Sequence, residues 1–212
     1  MSLFFCTPMK DSQSKRVVIL ASASPRRQLL LRQIGLRFVV RPSSVSERFS
    51  AKETPAANAK RIALEKAGAV ARGRLEGIII GADTVVVVEN RILGKPRTRA
   101  EAARMLRLLS GRWHTVITGY ALVDAETKRH MSATVRTRVK FRKLGREEIR
   151  RYVASGSPMD KAGAYGIQDD YGAVFVEEVR GCFYNVVGFP LSRFLVSLSE
   201  FLSEPVSNLA GR

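Results

Sequence analysis

Cysteine is scarce in this sequence. Only Cys6 and Cys182 occur among its 212 residues, and neither belongs to a group of ligands at metal-binding spacing. Small secreted domains that rely on disulfides contain more cysteines than this. The scarcity therefore argues against a disulfide-stabilised secreted domain and favours a reducing cytoplasm.

Long apolar segments are missing as well. The longest apolar runs are residues 17–21 and 85–88, whereas a membrane-spanning helix needs about 18 or more apolar residues. The first ten residues contain one short apolar patch and no small-residue cleavage site. We expect neither a membrane helix nor a signal peptide.

Acidic residues are few relative to basic ones. The chain has 36 Lys and Arg against 19 Asp and Glu, which gives a net charge of +17. Such a balance favours polyanionic partners, either nucleic acid or phosphorylated small molecules. A solvated basic surface without a specific partner is the alternative.

The sequence also lacks repeats, low-complexity blocks and linkers long enough to separate domains. We expect a flexible N-terminal tail over residues 1–15, a single domain over 16–203 and a C-terminal tail over 204–212. Buried strands, alternating strands and capped helices follow one another along the chain, a pattern typical of an α/β fold with one mixed sheet at its centre. The predicted helices cover 25–34, 55–72, 99–110, 146–155 and 190–202, and the predicted strands cover 17–21, 38–40, 77–80, 85–88, 91–93, 116–123, 133–141 and 173–179.

Two arginines in the first turn of a helix are the first candidate for chemistry. Ser24 is a natural N-cap and Pro25 suits the first helical position, so Arg26 and Arg27 face the positive end of the helix dipole. This arrangement favours a phosphate held by backbone N–H groups and guanidinium forks, with Ser22 and Ser24 as hydroxyl donors. The alternative is that both arginines extend into solvent.

Asp83 is the strongest candidate acid. It follows the apolar run 77–80, so we expect it at a strand end, where it could hold a divalent cation or accept a proton from water. A turn-forming aspartate is the alternative. Glu47, after the strand at 38–40, is a second candidate that could share a metal ion with Asp83.

Two lysines and a glycine-rich segment complete the set. Lys66 lies on the apolar stripe of its helix and either extends to the surface or meets a charged partner in a cleft, and Lys95 lies in a stiff Gly-Lys-Pro loop. The segment 160–168 contains two glycines that allow close approach to a ligand, and its Gln168 could read a base edge. His114 and His130 are interpreted as packing and surface residues.

These segments together resemble the Maf family of nucleotide pyrophosphatases. The ordered motifs, which span residues 17–202, are ASASPRR at 21–27, EKA at 65–67, GADT at 81–84, GKP at 94–96, LSG at 109–111, DKAGAYGIQ at 160–168 and NVVGFPL at 185–191. The resemblance implies a fold similar to that of inosine-triphosphate pyrophosphatases, with a mixed central sheet, flanking helices and a cleft between two lobes. It also implies hydrolysis of nucleoside triphosphates to monophosphate and pyrophosphate with Mg²⁺ or Mn²⁺, a role in sanitising the nucleotide pool, and a homodimer.

The resemblance assigns roles to particular residues. It implies that Asp83 is the proton acceptor, that Ser22, Arg27, Glu47, Lys66 and Lys95 occupy active-site polar positions, and that Arg26, Thr84 and Gln168 set specificity. The last three match the dTTP/UTP subgroup, whereas the 7-methyl-GTP subgroup has Trp, Gln and Glu there. One departure from the family is Asp169-Asp170-Tyr171, which contains an extra residue beside Gln168 and could alter the base accepted.

A pyrophosphatase with a preference for 7-methyl-GTP is an alternative within the family, and two other functions fit parts of the sequence. A nucleic-acid-binding protein could use the basic outer face of the strand at 133–141, where basic residues alternate with apolar ones and Phe141 is the only aromatic residue. A catalytically silent division-control protein on the same fold would have lost active-site residues, and every polar position carried over is intact.

Overall fold

The computed structural model describes residues 16–168 and 170–209. The predicted N-terminal tail at 1–15, Asp169 of the segment 169–171 that contains the extra residue, and residues 210–212 lie outside the described residues. Within the described part the chain forms one mixed sheet with helices on both faces. The predicted α/β fold is confirmed.

The described helices and strands follow the predicted order. The strands are β1 (Val18–Leu20), β2 (Val39–Val40), β3 (Ile78–Val88), β4 (Arg91–Leu93), β5 (Trp113–Asp124), β6 (His130–Phe141) and β7 (Val176–Arg180). The helices are α1 (Pro25–Gln33), α2 (Pro55–Ala71), α3 (Arg99–Leu109), α4 (Arg146–Ala154), α5 (Phe183–Val187) and α6 (Leu191–Leu202). Short 3₁₀ turns cover Ser157–Asp160, Ala162–Ala164, Asp170–Phe175 and Val206–Asn208. Leu209, in the segment predicted as a C-terminal tail, is buried.

The local signals for helix and turn boundaries are confirmed. Ser24, Thr54 and Thr98 cap α1, α2 and α3 with their side-chain oxygens, and the backbone after α1 turns at Gly35 with φ 76°. β3 and β4 form a hairpin at the predicted strands 85–88 and 91–93, and its two turn residues, Glu89 and Asn90, both have positive φ.

The sheet has the order β2-β1-β3-β5-β6-β7, with β4 also beside β3. β1 runs parallel to β2 and β3, and the other pairs are antiparallel. β1 pairs with residues 78–80 of β3, and β4 pairs with residues 86–88. Among the described strands, none lies beside residues 81–85 on that side, so the sheet has a gap at this edge.

The structure differs from the predicted elements at several places. The segment GADT does not end a strand, because β3 continues through it to Val88. The last strand begins at Val176 rather than at residue 173, because Asp170–Phe175 forms a 3₁₀ turn. The short helix α5 was not predicted, since five residues carry too little periodicity to indicate a helix.

The core places two groups of helices on one face of the sheet. α1 and α6 pack on one end, around Leu20, Ile80 and Tyr120, whereas α3 and α4 pack on the other end, around Val116 and Phe141. α2 covers the opposite face. The two groups form the two predicted lobes, and a cleft opens between them at the gap beside β3.

Candidate active site

A cleft of about 350 Å³ lies at this gap. Members of both lobes line it, including Ile167 and Val187 from the first and Val86 and Tyr165 from the second. All ten residues predicted as site residues also line it: Ser22, Ser24, Arg26, Arg27, Glu47, Lys66, Asp83, Thr84, Lys95 and Gln168. The fold therefore brings together side chains that lie up to 146 positions apart in the sequence.

Asp83 lies within β3, not at its end as predicted. It pairs in register with Gly119 of β5, and its residue surface is only 3% exposed. Asp83 nevertheless lines the cleft, because no described strand lies beside residues 81–85 of β3 on that side. The sheet thus presents a carboxylate from the middle of a long, rigid strand.

Lys66 joins the two candidate acids. Its Nζ donates to Asp83 Oδ1 at 2.8 Å and to Glu47 Oε1 at 2.7 Å, with a longer contact to the carbonyl of Ala82 at 3.4 Å. Lys66 itself is 6% exposed. The sequence left two alternatives for Lys66, extension to the surface or contact with a charged partner in a cleft. The structure shows the second.

The close approach of α2 to the sheet makes this contact possible. A Cβ atom on Gly81 would lie 2.1 Å from the carbonyl oxygen of Ala63, and one on Gly119 would lie 2.3 Å from that of Ala59. Only glycine at these strand positions allows the helix backbone to come so near. Lys66, on the same face of α2, then reaches the adjacent Asp83.

The pKa values of the two carboxyls shift in opposite directions. Burial raises the pKa of Asp83, although the nearby Lys66 ammonium opposes this change. Partial burial also tends to raise the pKa of Glu47. The positive charge of Lys66, together with those of Lys95 and Arg27, outweighs burial, so the pKa of Glu47 is lowered. Two neighbouring acids whose pKa values are driven apart are a common feature of catalytic sites.

Glu47 depends on α2 for its position as well. The segment that carries it, residues 41–54, is held by the buried side chain of Asn58, which bonds Ser50 through both backbone groups and the carbonyls of Glu53 and Thr54. Arg61 adds an ion pair to Glu53 at 2.9 Å and a bond to the carbonyl of Arg48. One helix therefore fixes both Lys66 and the segment bearing Glu47.

Arg27 lies opposite these acids and is oriented by neutral groups. Its guanidinium donates to Ser22 Oγ at 3.0 Å, to Thr84 Oγ1 at 3.1 Å and to the carbonyl of Gly188 at 3.1 Å. Burial lowers the pKa of Arg27, and the charges of Asp83 and Glu47 oppose that change. Among the described residues none of its hydrogen-bond partners is a carboxylate, so its charge remains available to an anion.

The N-terminus of α1 contributes backbone donors at the same place. Ser24 caps the helix by accepting from the backbone N–H of Arg27, and the first turn contains no acidic residue. Ser22, Ala23 and Ser24 line the cleft. A helix N-terminus beside an oriented guanidinium is a favourable site for a phosphate group.

The other rim of the cleft contains the remaining predicted residues. Lys95 and Gln168 are exposed and line it, and Arg26 is paired with Asp160 at 2.9 Å. Asp160 and the buried Lys161 were not predicted as site residues, although both line the cleft. Their only sequence signal is an acid–base pair at the start of the glycine-rich segment, which is indistinguishable from a surface turn.

The two histidines have the predicted packing and surface roles. His114 is buried and its Nε2 lies 2.7 Å from the hydroxyl of Tyr165, which lines the cleft. Burial lowers the pKa of His114 to about 4, so the ring is neutral near pH 7. His130 is exposed at the start of β6.

The basic face of β6 lies apart from the cleft. Arg136 and Arg138 are exposed while Thr137 and Val139 are buried, which confirms the predicted alternation. An unpredicted aromatic neighbour, Trp113 of β5, packs within 4.7 Å of the Arg138 guanidinium. Since none of these residues lines the cleft, they form a separate surface.

The acids of the cleft fit a divalent cation that is shared with a substrate. Asp83 Oδ2 is buried and accepts no hydrogen bond from any residue that the structure describes, and Glu47 lines the same cleft. Within residues 16–168 and 170–209 there is no group of three or more His, Cys, Asp or Glu side chains that could form an all-protein site. Mg²⁺ is commonly held by one or two carboxylates with phosphate oxygens as further ligands, so these two acids suit it.

Comparison with known proteins identifies the family. The Maf-like protein family matches residues 17–201. A protein from Moorella thermoacetica called dTTP/UTP pyrophosphatase is 51% identical over 186 residues, which cover 88% of this chain and 93% of the relative. Proteins of the same name from Pelotomaculum thermopropionicum and Bacillus cereus strain ATCC 10987 are 49% and 44% identical, over 87% and 91% of this chain and 96% and 93% of the relatives. In the described part of the chain, no helix is long and apolar enough to cross a membrane. The chain belongs to the Maf family.

Proposed function

We propose that this protein hydrolyses nucleoside triphosphates, dTTP and UTP in particular, to the monophosphate and pyrophosphate. The observation that carries the proposal is the Lys66 bridge between Asp83 and Glu47, which faces the oriented Arg27 in one cleft. Cationic groups and paired acids on opposite sides of a cleft are what phosphoryl transfer requires.

The pyrimidine preference is supported by the relatives and by three residues. Relatives that are 44–51% identical carry the name dTTP/UTP pyrophosphatase. Arg26, Thr84 and Gln168 match the residue types of that subgroup and line the cleft. Modified pyrimidine nucleotides with the same base edges are further candidate substrates, in keeping with a role in sanitising the nucleotide pool.

The reaction we propose is an in-line attack of water on the α-phosphorus. The water oxygen forms a bond to phosphorus, the bond from phosphorus to the bridging α–β oxygen breaks, and pyrophosphate leaves with that oxygen. Asp83 has two alternative roles in this reaction, as acceptor of the proton from the attacking water and as ligand of the cation, because only its Oδ2 atom has no hydrogen-bond partner among the described residues. Arg27 and Lys95 stabilise the charge on the phosphate oxygens, while the Lys66 ammonium holds the two carboxylates in place.

Asp83 and Glu47 would hold the divalent cation, Mg²⁺ or Mn²⁺. When bound, the cation supplies charge neutralisation to the phosphate oxygens. Lys66 uses only one oxygen of each carboxylate, which leaves Asp83 Oδ2 for the cation or, in the alternative role of Asp83, for the proton.

The cellular setting and assembly belong to the same proposal. We place the protein in the cytoplasm because the sequence has only two cysteines and because its proposed substrates are nucleotides. The homodimer is proposed on the family resemblance alone, and the molar mass in solution from light scattering tests it.

A panel of canonical and modified nucleoside triphosphates tests the function. Pyrophosphate release with Mg²⁺ is measured for each substrate, and we expect the highest kcat/KM for dTTP and UTP. A variant Asp83→Asn should lower kcat by about 10²- to 10⁴-fold, the usual contribution of a positioned acid or base. The matched control is Glu147→Gln, which alters an exposed carboxylate of α4 outside the cleft.

Two results would contradict the proposal. No turnover of any triphosphate by the wild-type protein would exclude the reaction. Near wild-type turnover by Asp83→Asn would exclude both roles proposed for Asp83, as proton acceptor and as cation ligand.

A further inference from the structure

Asp160 joins the two rims of the cleft. Its carboxylate accepts from one guanidinium nitrogen of Arg26 at 2.9 Å, and its backbone carbonyl accepts from the other at 3.3 Å. Arg26 belongs to the first turn of α1, whereas Asp160 begins the segment that leads to Gln168. The contact therefore spans 134 positions of sequence and connects Arg26 to the segment that carries Gln168.

Asp160 is itself held in place. Its second carboxylate oxygen accepts from Lys161 Nζ at 2.8 Å. The same ammonium, on a lysine that is 7% exposed, donates to the carbonyl of Ser157 at 2.7 Å and to its hydroxyl at 3.2 Å. The segment is further tied to the lobe by a backbone bond from Gly163 to Gly94 at 3.1 Å. A fixed acceptor pair thus sets the direction of the Arg26 guanidinium.

The two neighbouring arginines have different partners as a result. Arg27 is held by hydroxyl and carbonyl oxygens, so its full charge is available to a phosphate. Arg26 is engaged by a carboxylate, which reduces the charge it offers to a phosphate and fixes its orientation instead.

Stability does not account for this contact. The side chain of Asp160 is 59% exposed, and ion pairs at such positions contribute little to folding because solvent screens them. Its oxygens lie on the cleft wall, next to the segment that carries the base-reading candidate. What the contact does fix is the position of the Arg26 side chain, which lines the same cleft.

We propose that Asp160 is a positioning residue for nucleobase selection: it holds the Arg26 guanidinium in place and fixes the separation between α1 and the segment that ends in Gln168. This inference rests on the proposed function, because it assumes that a nucleotide occupies the cleft. Asp160 then helps to determine which substrate the cleft accepts, and it has only a minor role in the turnover of the preferred substrate.

A double-mutant cycle tests this role. The variants are Asp160→Asn, Asp160→Glu, Arg26→Ala and the double variant Arg26→Ala/Asp160→Asn, with Glu147→Gln as the matched exposed carboxylate outside the cleft. For each, kcat and KM are measured with dTTP, UTP, dCTP and GTP, and equilibrium affinity is measured with the α,β-imido analogues of dTTP and GTP. Thermal unfolding midpoints establish that each variant is folded.

The expected result is a loss of discrimination. Asp160→Asn should reduce the preference for dTTP over GTP by about tenfold, mainly through KM, which is the size of coupling that contacting residues often show. Asp160→Glu should recover part of the preference because it restores the carboxylate. In the Arg26→Ala background, Asp160→Asn should have little further effect, since its action passes through Arg26.

Other outcomes overturn the inference. An equal loss for all four substrates indicates a general structural role, and additive effects of the two substitutions indicate that Asp160 does not act through Arg26. If the wild-type protein hydrolyses no triphosphate, the proposed function fails separately. The affinities of the imido analogues then decide the inference, which fails if Asp160→Asn leaves their ratio unchanged.

Discussion

Lys66 lies on the apolar stripe of α2, one turn after Ile62 and one turn before Val70. Its single positive charge is shared between two acids that line the cleft, Asp83 and Glu47. Because the side chains of both Lys66 and Asp83 are at most 8% exposed, removing one partner leaves a buried charge without compensation. The role of this lysine in stability is therefore tied to the charge state of Asp83.

Lys66→Met should destabilise the fold in a pH-dependent way. At neutral pH the free energy of unfolding should fall by about 3–5 kcal/mol, as for other broken buried pairs. Lys66 lowers the pKa of Asp83 and burial raises it, so the folded-state pKa of Asp83 should be higher still in the variant. A carboxyl whose pKa is raised by folding contributes stability that is fully present below the unfolded pKa and lost as pH rises through the folded pKa.

Urea unfolding of Lys66→Met between about pH 8 and about pH 5 measures this effect. The difference from wild type should shrink as the pH falls, because protonated Asp83 needs no partner. Lys140→Met, which breaks the more exposed pair with Glu177, is the control and should change stability little. A loss that is the same at every pH would contradict the interpretation.

At the scale of elements, α2 is the component that assembles the acid side of the cleft. It carries Lys66, holds the segment bearing Glu47 through Asn58, and packs against β3 and β5 at Gly81 and Gly119. Any displacement of α2 therefore moves Lys66 and Glu47 relative to Asp83, which is fixed in the sheet. Activity and helix packing should respond together.

Gly119→Ala should demonstrate this coupling. The new methyl group would meet the Ala59 carbonyl at 2.3 Å, and overpacking of this kind destabilises by about 1–3 kcal/mol. Pyrophosphate release should fall as well, since α2 must shift with Lys66. Gly68→Ala in the same helix is the matched control: its methyl group would meet nothing within 4 Å, and we expect about 0.5–1 kcal/mol of added stability from helix propensity. Full activity in Gly119→Ala would argue against the coupling.

The sequence predicted the elements better than it predicted their contacts. Ser24 with Pro25 and Thr54 with Pro55 mark helix starts through local capping chemistry, and both were confirmed. The apolar run at 77–80 was predicted to end before Asp83, because the sequence does not reveal that a helix backbone lies against Gly81 in a continuing strand. Asp83 was therefore placed at a strand end instead of within β3.

The candidate site shows the same division. Residues whose type is unusual for their local position, such as Lys66 on an apolar stripe, were found from the sequence and line the cleft. Asp160 was missed because its significance comes from Arg26, a distant residue that only the fold brings near. The carbonyl of Gly188, which holds Arg27, has no side-chain signal at all.

At the scale of the whole molecule, the net charge of +17 is the dominant electrostatic property. Much of it lies outside the cleft, as on the exposed arginines of β6. A field of one sign attracts anions from a distance and raises their concentration near the surface, and salt screens it over about 10 Å at 0.1 M. A triphosphate should therefore associate more readily with this chain at low ionic strength.

The KM for dTTP should rise with NaCl concentration, while kcat changes less, because the contacts inside the cleft are shielded from salt. Steady-state kinetics at several salt concentrations and a fixed concentration of free Mg²⁺ measure this dependence. Arg136→Ser/Arg138→Ser, which removes two exposed charges away from the cleft, should reduce the slope without altering kcat. A KM independent of salt would exclude long-range attraction as a contribution.

The partners of Arg27 come from three distant parts of the chain: Ser22 after β1, Thr84 in β3 and Gly188 after α5. The guanidinium acquires its direction only when all three segments have docked, and α5 is one of the last elements along the chain. A nascent or partly folded chain that lacks its C-terminal portion therefore presents a misdirected arginine to any phosphate. Catalytic competence should thus appear late in synthesis, so that the specific activity of a preparation reports the fraction of molecules that have completed folding.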